Sequence, residues 1–202
     1  MCGRFIVFSE AEEREIKSIV EDINEKYKDS IFKKDAETFP TDISPVITYE
    51  GGKRNISLFK WGFPNPKGGP VIINARSETI LERPMFREPF ASHRCLIPAS
   101  AFFEWKQVDK KKQKYIIRSS ETDLFYMAGL YEGFIDKNGQ PFTGFVVITT
   151  SASNKMSLIH ERMPVILTDK SAIDLWVNNE EKDMAKLRGI LAPNEDIHIE
   201  VA

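Results

Sequence analysis

Apolar residues follow two different periods along this chain. Near the start they recur every three or four residues, as on one face of an α-helix. The stripe comprises Ile16, Ile19, Val20, Ile23 and Tyr27. Ser9 and Glu12 precede it with the spacing of a capping box, so the pattern predicts an amphipathic helix over residues 9–28.

Beyond residue 45 the apolar positions alternate or form short runs between turn residues, which is typical of β-strands. Strands are predicted at 46–49, 55–63, 71–74, 95–98, 102–106, 115–119, 124–134, 144–150, 163–167 and 198–201, and short helices at 85–92, 171–178 and 181–191. Residues 137–140 predict a hairpin turn, because the Asn-Gly pair tolerates positive φ. We therefore expect an α+β fold, with one domain over residues 1–202, a curled or barrel-like, mainly antiparallel sheet, and peripheral helices.

Composition narrows the class of protein. The chain has 202 residues, of which 42% are hydrophobic and 29% charged, as in globular proteins. The formal net charge of −2 and pI near 6.0 exclude a strongly basic nucleic-acid binder, so any DNA contact needs basic residues gathered on one face. No apolar run approaches the ~20 residues of a membrane span, and no signal-peptide pattern is present, so we expect a cytoplasmic protein. Two cysteines without a CxxC spacing argue against structural zinc.

The second residue, Cys2, has unusual chemical potential. If Met1 is removed, Cys2 carries a free α-amine and a thiol on adjacent carbons. The amine can condense with an aldehyde, and the thiol can then close onto the same carbon to give a thiazolidine. About a tenth of such an amine is neutral at pH 7. Arg4 adds a cation nearby and is expected to lower the pKa of both groups. The alternative is that Cys2 is an ordinary second residue.

Three further polar residues lie in or beside apolar segments. Asn74 follows the apolar run 71–73, where a strand end would hold it rigidly. Glu104 follows two phenylalanines and precedes a tryptophan, which would partly desolvate its carboxylate and suit it to proton transfer; alternatively it lies on the wet face of a strand. His160 precedes the apolar segment 163–167 and is either a proton donor or an ordinary structural histidine.

Other residues are candidates for binding. Arg76 could grip a phosphate, or form a surface ion pair with Glu78 that contributes little to stability. Trp61, with Phe39 and Pro40 upstream, could stack on or wedge between unpaired bases, although the alternative is core packing. The lysines at 110–112 are interpreted mainly as a solvated turn between strands.

Together and in this order, these segments resemble the SOS response-associated peptidase (SRAP) family, whose members process abasic sites in DNA. The resemblance covers nearly the whole chain. It rests on Met1-Cys2-Gly3-Arg4, Trp61-Gly62, Asn74-Ala75-Arg76-Ser77-Glu78-Thr79, Phe86-Arg87, Arg94-Cys95-Leu96-Ile97-Pro98-Ala99, Phe102-Phe103-Glu104-Trp105 and Ile159-His160-Glu161-Arg162-Met163-Pro164-Val165-Ile166-Leu167.

The resemblance implies a DNA-damage protein that binds single-stranded DNA and cross-links abasic sites through Cys2, after autocatalytic loss of Met1. It implies that His160 assists opening of the abasic sugar, that the Cys2 amine attacks C1′, that Glu104 relays protons and that Asn74 orients the thiol or the adduct. Stalling at the imine would give lyase activity, and reversal would release the DNA. The implied DNA contacts are Arg4, Arg76, Ser77, Thr79, Arg162, Trp61, Phe39 and Pro40, with Lys106 as a further candidate.

The resemblance implies no cofactor, no metal, no membrane contact and no obligate protein partner, so a monomer that joins damaged DNA is expected. The chain departs from the family pattern at Ser100-Ala101-Phe102-Phe103, where Asp-Gly-Phe-Tyr is common, and at Phe63-Pro64-Asn65-Pro66. Two other functions stay open. One is a peptidase acting on other proteins with Cys2 as nucleophile and His160 as base. The other is a non-covalent module for single-stranded or modified DNA in which Cys2 is idle.

Overall fold

The strands of the computed structural model form a closed barrel and an open sheet. The structure describes residues 2–7 and 37–202. The helix predicted over 9–28, with its capping box, lies outside these residues. The described strands are β1 (Phe5–Ile6), β2 (Glu37–Thr38), β3 (Ile43–Glu50), β4 (Lys53–Trp61), β5 (Asn74–Arg76), β6 (Arg94–Ala99), β7 (Ala101–Val108), β8 (Lys111–Ser119), β9 (Phe125–Ile135), β10 (Pro141–Ser151), β11 (Arg162–Pro164), β12 (Ile166–Leu167) and β13 (Ile197–Val201).

The described helices are short and lie between strands. They are α1 (Pro84–Ser92), α2 (Lys170–Val177) and α3 (Met184–Gly189), with 3₁₀ turns at Ser77–Thr79 and Met156–Leu158. Proline begins α1, where its missing N–H costs nothing. Asp169 and Asp183 cap α2 and α3 by accepting main-chain N–H bonds, as expected of aspartate at a helix start.

The barrel has five strands in the order β10–β4–β3–β6–β9, and β9 closes it by pairing with β10. The β4–β10 pairing is parallel and the others are antiparallel. β5 and β11 both pair with the C-terminal half of β10, on which Thr149 lies opposite Arg76 and Pro164. The side chains that precede and follow these short strands therefore collect at one end of the barrel.

The open sheet is antiparallel, in the order β13–β8–β7–β1–β2. Only Ser100 separates β6 of the barrel from β7 of this sheet, so the chain passes directly from one to the other. On β1, Phe5 packs edge-on against Trp61 of the barrel at 4.9 Å between ring centroids. The two sheets thus share one hydrophobic core.

The fold class is confirmed, with local differences. The hairpin predicted at 137–140 joins β9 to β10, and Gly139 has the expected positive φ of 79°. The strand predicted at 71–74 is wrong. Only Ile72 forms an isolated bridge there, with Phe63, and β5 begins at Asn74 because that is where main-chain pairing with β10 starts. Two-residue strands β1 and β2 escaped prediction, since they are too short for any period to show. No described helix is both long enough and apolar enough to span a membrane.

Candidate functional site

Cys2 lies just before β1, where the barrel and the open sheet meet. The main-chain N–H of Phe103 in β7 donates to the Arg4 carbonyl at 2.9 Å, so the antiparallel register continues outward and places Gly3, the neighbour of Cys2, opposite Glu104. Cys2 is fully buried. Its thiol points toward the Arg4 carbonyl, 3.8 Å from the oxygen. The second residue of the chain is therefore part of the folded core.

The Cys2 thiol is held in its protonated form. Burial, and then the charge of the Glu104 carboxylate, raise the pKa of this thiol from 9.0 to about 12. The net pKa is not lowered as expected from the Arg4 cation, because burial and the Glu104 charge outweigh the lowering contributions and the Arg4 guanidinium pairs with Glu37 at 2.9 Å. Near neutral pH this sulfur is not a ready thiolate nucleophile.

Asn74 contacts Cys2 directly from the first position of β5. Its Nδ2 donates to the Cys2 carbonyl at 3.1 Å. Its Oδ1 is buried and has no hydrogen-bond partner within residues 2–7 and 37–202. Because an unsatisfied buried acceptor is costly, this oxygen marks a place for a donor that is not yet in position.

Glu104 is buried, with 3% of its surface exposed. It is the fourth residue of β7, and the alternative that it lies on the wet face of the strand is therefore wrong. Its charge acts on the Cys2 thiol, so the carboxylate and the sulfur share one environment. A carboxylate in this position can accept or return a proton at Cys2.

His160 follows the 3₁₀ turn at Met156–Leu158 and lies two residues before the start of β11. Its main-chain N–H donates to the Met156 carbonyl at 3.0 Å. Its ring Nδ1 accepts the main-chain N–H of Arg162 at 3.0 Å. Because that N–H can only donate, Nδ1 carries no proton, and the hydrogen of the neutral ring is at Nε2. Nε2–H is then the group of this ring that can donate a hydrogen bond to a ligand.

The Arg162 side chain crosses from β11 to the turn after β5. Its two terminal nitrogens bond the two carboxylate oxygens of Glu78 at 2.8 and 2.9 Å. One of them also bonds the Thr149 carbonyl at 2.7 Å. The alternative surface pair, Arg76 with Glu78, is replaced by this bidentate pair. Arg162 therefore joins the segment that carries His160 to the segment that carries Asn74.

The other residues predicted after Asn74 differ in accessibility. Arg76 is exposed and forms no ion pair with any residue in the described ranges. Thr79 is half-buried, and Ser77 is only 9% exposed, which leaves little of Ser77 for a DNA contact. Arg76 is thus the one of these three that is best placed to meet a ligand from solution.

The three residues predicted to stack on bases lie in different environments. Trp61 is fully buried, and its Nε1 donates to the Ile73 carbonyl at 3.1 Å. The prediction that Trp61 stacks on DNA is therefore wrong, because its indole fills the core, as the alternative interpretation held. Phe39 is 41% exposed and Pro40 beside it is half-buried, so the surface has an aromatic side chain there.

A cluster of cations and aromatic rings on the open sheet was not predicted. The Arg4 guanidinium lies 4.3 Å from the ring centre of Phe39 and 4.9 Å from that of Trp105. Lys114 of β8 lies opposite Trp105 and bonds Glu37, the residue that also holds Arg4. Counting outward from the two-residue turn at 109–110 would have paired Lys114 with Trp105. The sequence gives no comparable signal for Glu37. The lysines at 110–112 do lie at this exposed turn, as predicted.

The fold and the site define a β-barrel protein with a buried cysteine at position 2, held by an asparagine and beside a buried glutamate. The chain belongs to the SRAP family, since the family model described as SOS response associated peptidase (SRAP) matches residues 1–202. The chain is 37% identical over 205 residues to abasic site processing protein YoqW of Bacillus subtilis, covering 96% of this chain and 87% of that protein.

A second relative and a solved structure agree with this assignment. Abasic site processing protein YobE of Bacillus subtilis is 36% identical over 205 residues, covering 96% of this chain and 89% of YobE. A crystal structure of a protein from Bacteroides thetaiotaomicron superposes with a TM-score of 0.81 at 27% identity, covering 99% of this chain and 91% of that one.

Proposed function

We propose that this protein processes abasic sites in single-stranded DNA, and that Cys2 captures the lesion covalently once Met1 has been removed. Membership of the SRAP family and the names of the relatives support the abasic-site part of the proposal. The covalent part rests on one observation. Cys2 is buried where Asn74 holds its carbonyl and the charge of Glu104 acts on its thiol.

The order of bond formation follows from the protonation states. Burial disfavours the charged thiolate of Cys2, so the α-amine attacks first. The amine adds to the C1′ aldehyde of the open sugar, and loss of water gives an iminium ion. The sulfur then bonds C1′ and its proton passes to Glu104, which closes the thiazolidine. The orphan Oδ1 of Asn74 is suited to accept an N–H from the Cys2 amine during these steps.

His160 fits the step that precedes capture. An abasic deoxyribose is mostly a closed hemiacetal, and its opening needs a proton on the ring oxygen. With Nδ1 occupied by the Arg162 main chain, the neutral ring of His160 has its proton at Nε2. Nε2–H of His160 would donate a hydrogen bond to the ring oxygen while that oxygen takes its proton from water, so the ring of His160 stays neutral throughout. If the reaction stopped at the imine, the same residues would permit cleavage of the DNA strand by a lyase reaction. Protonation of the thiazolidine ring would permit reversal of the cross-link and release of the DNA.

DNA binding is assigned to the surface around this site. Arg76 is exposed, and Arg4 and Arg162 carry the other cations in reach of the flanking phosphates. Phe39 supplies a surface ring on which an unpaired base can stack. The partner is single-stranded DNA that contains an abasic site, bound by a monomer without a cofactor.

The two competing functions lead to different expectations. A peptidase that acts on other proteins needs a reactive thiolate, and the raised pKa of the Cys2 thiol works against one. A non-covalent DNA module leaves Cys2 without a role, which does not explain its burial against Asn74. Turnover of a peptide substrate would favour the first, and DNA binding without any covalent species would favour the second.

The test uses the mature protein and single-stranded DNA with one abasic site. Intact mass first establishes whether Met1 has been lost. We expect a protein–DNA species that survives denaturing electrophoresis with the wild type and with Cys95→Ala, and none with Cys2→Ala. Cys95→Ala is the matched control, because Cys95 is also a fully buried free cysteine but lies in the barrel. A stable adduct with Cys2→Ala, or none with the mature wild type, would contradict the proposal.

A further inference from the structure

Two of the arginines assigned to DNA phosphates already bind carboxylates of the protein. Arg162 bonds Glu78 through two nitrogens, and Arg4 bonds Glu37. A carboxylate and a phosphate present similar pairs of oxygens to a guanidinium. Each glutamate therefore covers donor atoms that a phosphate would use, and both interactions cannot form fully at once.

In the first pair the arginine is fixed and the glutamate is accessible. The Arg162 side chain is 11% exposed, whereas that of Glu78 is 48% exposed. Arg162 is also anchored on β10, since one terminal nitrogen bonds the carbonyl of Thr149 at 2.7 Å and its hydroxyl at 3.2 Å. The group that can leave is therefore Glu78, and the guanidinium stays in place when it does.

The second pair is held in a similar way. Arg4 lies over the rings of Phe39 and Trp105, at 4.3 and 4.9 Å from their centres. Glu37 bridges Arg4 to Lys114, and its side chain is 30% exposed. When Glu37 turns away, the aromatic rings still hold the Arg4 guanidinium, and the Lys114 ammonium is released for a second contact.

We propose that Glu37 and Glu78 are exchangeable counter-anions that DNA phosphates displace from Arg4 and Arg162. They keep the two guanidinium groups in position in the free protein, and they compete with undamaged DNA for them. This inference rests on the proposed function, because it takes the two arginines as phosphate contacts. In this inference the two glutamates set how tightly DNA binds before any covalent bond forms. Covalent capture at Cys2 then makes the complex permanent.

The ionisation of both glutamates supports this role. Hydrogen bonding to Arg162 lowers the pKa of Glu78. Partial burial acts the other way at Glu37, but Lys114 and Arg4 lower the pKa of this carboxyl overall. Both carboxylates thus stay charged at neutral pH, where the protein has a formal net charge of −2. Weak binding of intact DNA lets such a protein search for a lesion without being held by undamaged strands.

The experiment measures the affinity for an undamaged, labelled single strand by fluorescence anisotropy. Glu78→Gln keeps a hydrogen-bond acceptor for Arg162 and removes the charge. Glu82→Gln is the matched control, because it removes the same charge from a nearby exposed residue that forms no ion pair in the described ranges. We expect Glu78→Gln to bind about 3–10-fold more tightly than the wild type, and Glu82→Gln to differ by less than about 2-fold.

The salt dependence of DNA affinity distinguishes direct displacement of a glutamate from long-range charge repulsion. Direct competition for a guanidinium acts at contact distance, whereas long-range repulsion is largely screened at about 0.3 M salt. At this salt concentration the tighter DNA binding of Glu78→Gln should persist, and any change in DNA affinity caused by Glu82→Gln should vanish. Glu37→Gln should repeat the gain at the second pair. Weaker binding by both Glu37→Gln and Glu78→Gln, or gains no larger than that of Glu82→Gln, would overturn the inference.

Failure of the inference and failure of the proposed function give different results. If the wild type captures abasic DNA but the two glutamine variants bind undamaged DNA no more tightly than Glu82→Gln, only the counter-anion role is wrong. If the wild type neither binds single-stranded DNA nor forms an adduct, the proposed function itself is wrong.

Discussion

Two regions of this protein each contain a buried cysteine and an arginine, and they differ in how their polar atoms are satisfied. In the barrel wall, Cys95 pairs with Gly129 on β9 and its carbonyl accepts the indole N–H of Trp176 at 2.9 Å. A methyl group on Gly129 would lie 2.2 Å from the Ile97 side chain, so the region is closely packed. Burial raises the pKa of the Cys95 thiol, as it does that of the Cys2 thiol.

The arginine of the barrel region is saturated by the main chain. Arg94 is fully buried, and no carboxylate within residues 2–7 and 37–202 bonds its guanidinium; its three nitrogens bond five carbonyls instead. These belong to Phe90, Ala91, Trp176, Asn178 and Glu181, at the ends of α1 and α2 and in the loop that follows. Burial lowers the pKa of Arg94 to about 10, which leaves it charged at neutral pH. Arg94 is a structural cation.

In the Cys2 region some buried polar atoms are not satisfied by hydrogen bonds. The Oδ1 of Asn74 and the Nε of Arg162 are both buried without a hydrogen-bond partner in the described part of the chain. Arg162 is otherwise held by a half-exposed carboxylate rather than by the main chain alone. Burial and a raised thiol pKa are therefore common to the two cysteines. The unsatisfied atoms of Asn74 and Arg162 are what supports the function proposed for Cys2.

The largest effect should come from the arginines. Arg94→Lys cannot reach five carbonyls with one ammonium group, so we expect it to lower the free energy of unfolding by about 3–5 kcal/mol. Arg162→Lys should cost about 1 kcal/mol or less, because its pair with Glu78 is partly exposed. Urea unfolding of both variants measures the difference. Equal costs would remove the distinction between the two regions.

The next effect concerns the two asparagines. Asn74→Ala removes the donor to the Cys2 carbonyl, and we expect capture of abasic DNA to slow about 10–100-fold, with a stability cost of about 1 kcal/mol. Asn179→Ala is the control, because Asn179 accepts the main-chain N–H of Arg94 at 2.9 Å in the other region. It should cost similar stability and leave the capture rate unchanged. A rate loss that follows stability in both variants would argue against a specific role of Asn74.

The smallest expected effect is a pH dependence of the free energy of unfolding to which the two cysteines contribute equally. The unfolded thiol has a pKa near 9.0, and both folded values are higher. The stability that each neutral thiol contributes is present below pH 9 and falls as pH rises above it, because the unfolded chain then releases a proton. Between pH 8 and 10 we expect a loss of about 1 kcal/mol per thiol in urea unfolding. Cys2→Ala and Cys95→Ala should each remove about half of it. A loss unchanged in either variant would place the titration elsewhere.

Much of the fold could be predicted from the sequence, because the long strands of the barrel have clear periods. The hairpin at Gly139 and the turn at 109–110 were equally visible. The strand predicted at 71–74 is wrong, because main-chain pairing with β10 decides where β5 begins. The pattern of hydrophobic residues does not indicate where this pairing starts. Trp61 was misjudged for the related reason that an aromatic ring looks the same in sequence whether it fills a core or faces DNA.

The candidate site was only partly accessible from sequence. Cys2, Asn74 and Glu104 came from motifs and their chemistry, and the structure brings these three together through the register of β1 on β7 and the first residue of β5. The counter-anions Glu37 and Glu78 could not be identified. Glu78 lies 84 positions from Arg162, and nothing in the spacing links them.

The single residue between β6 and β7 limits how Glu104 can move. Because only Ser100 intervenes, the backbone that carries Glu104 continues directly from a strand of the barrel wall. Little slack is left in the chain for the Glu104 backbone to move independently of the barrel strand. The position of Glu104 is therefore tied to a barrel strand. In the proposed function, the DNA strand would have to deform and bring its sugar to this carboxylate.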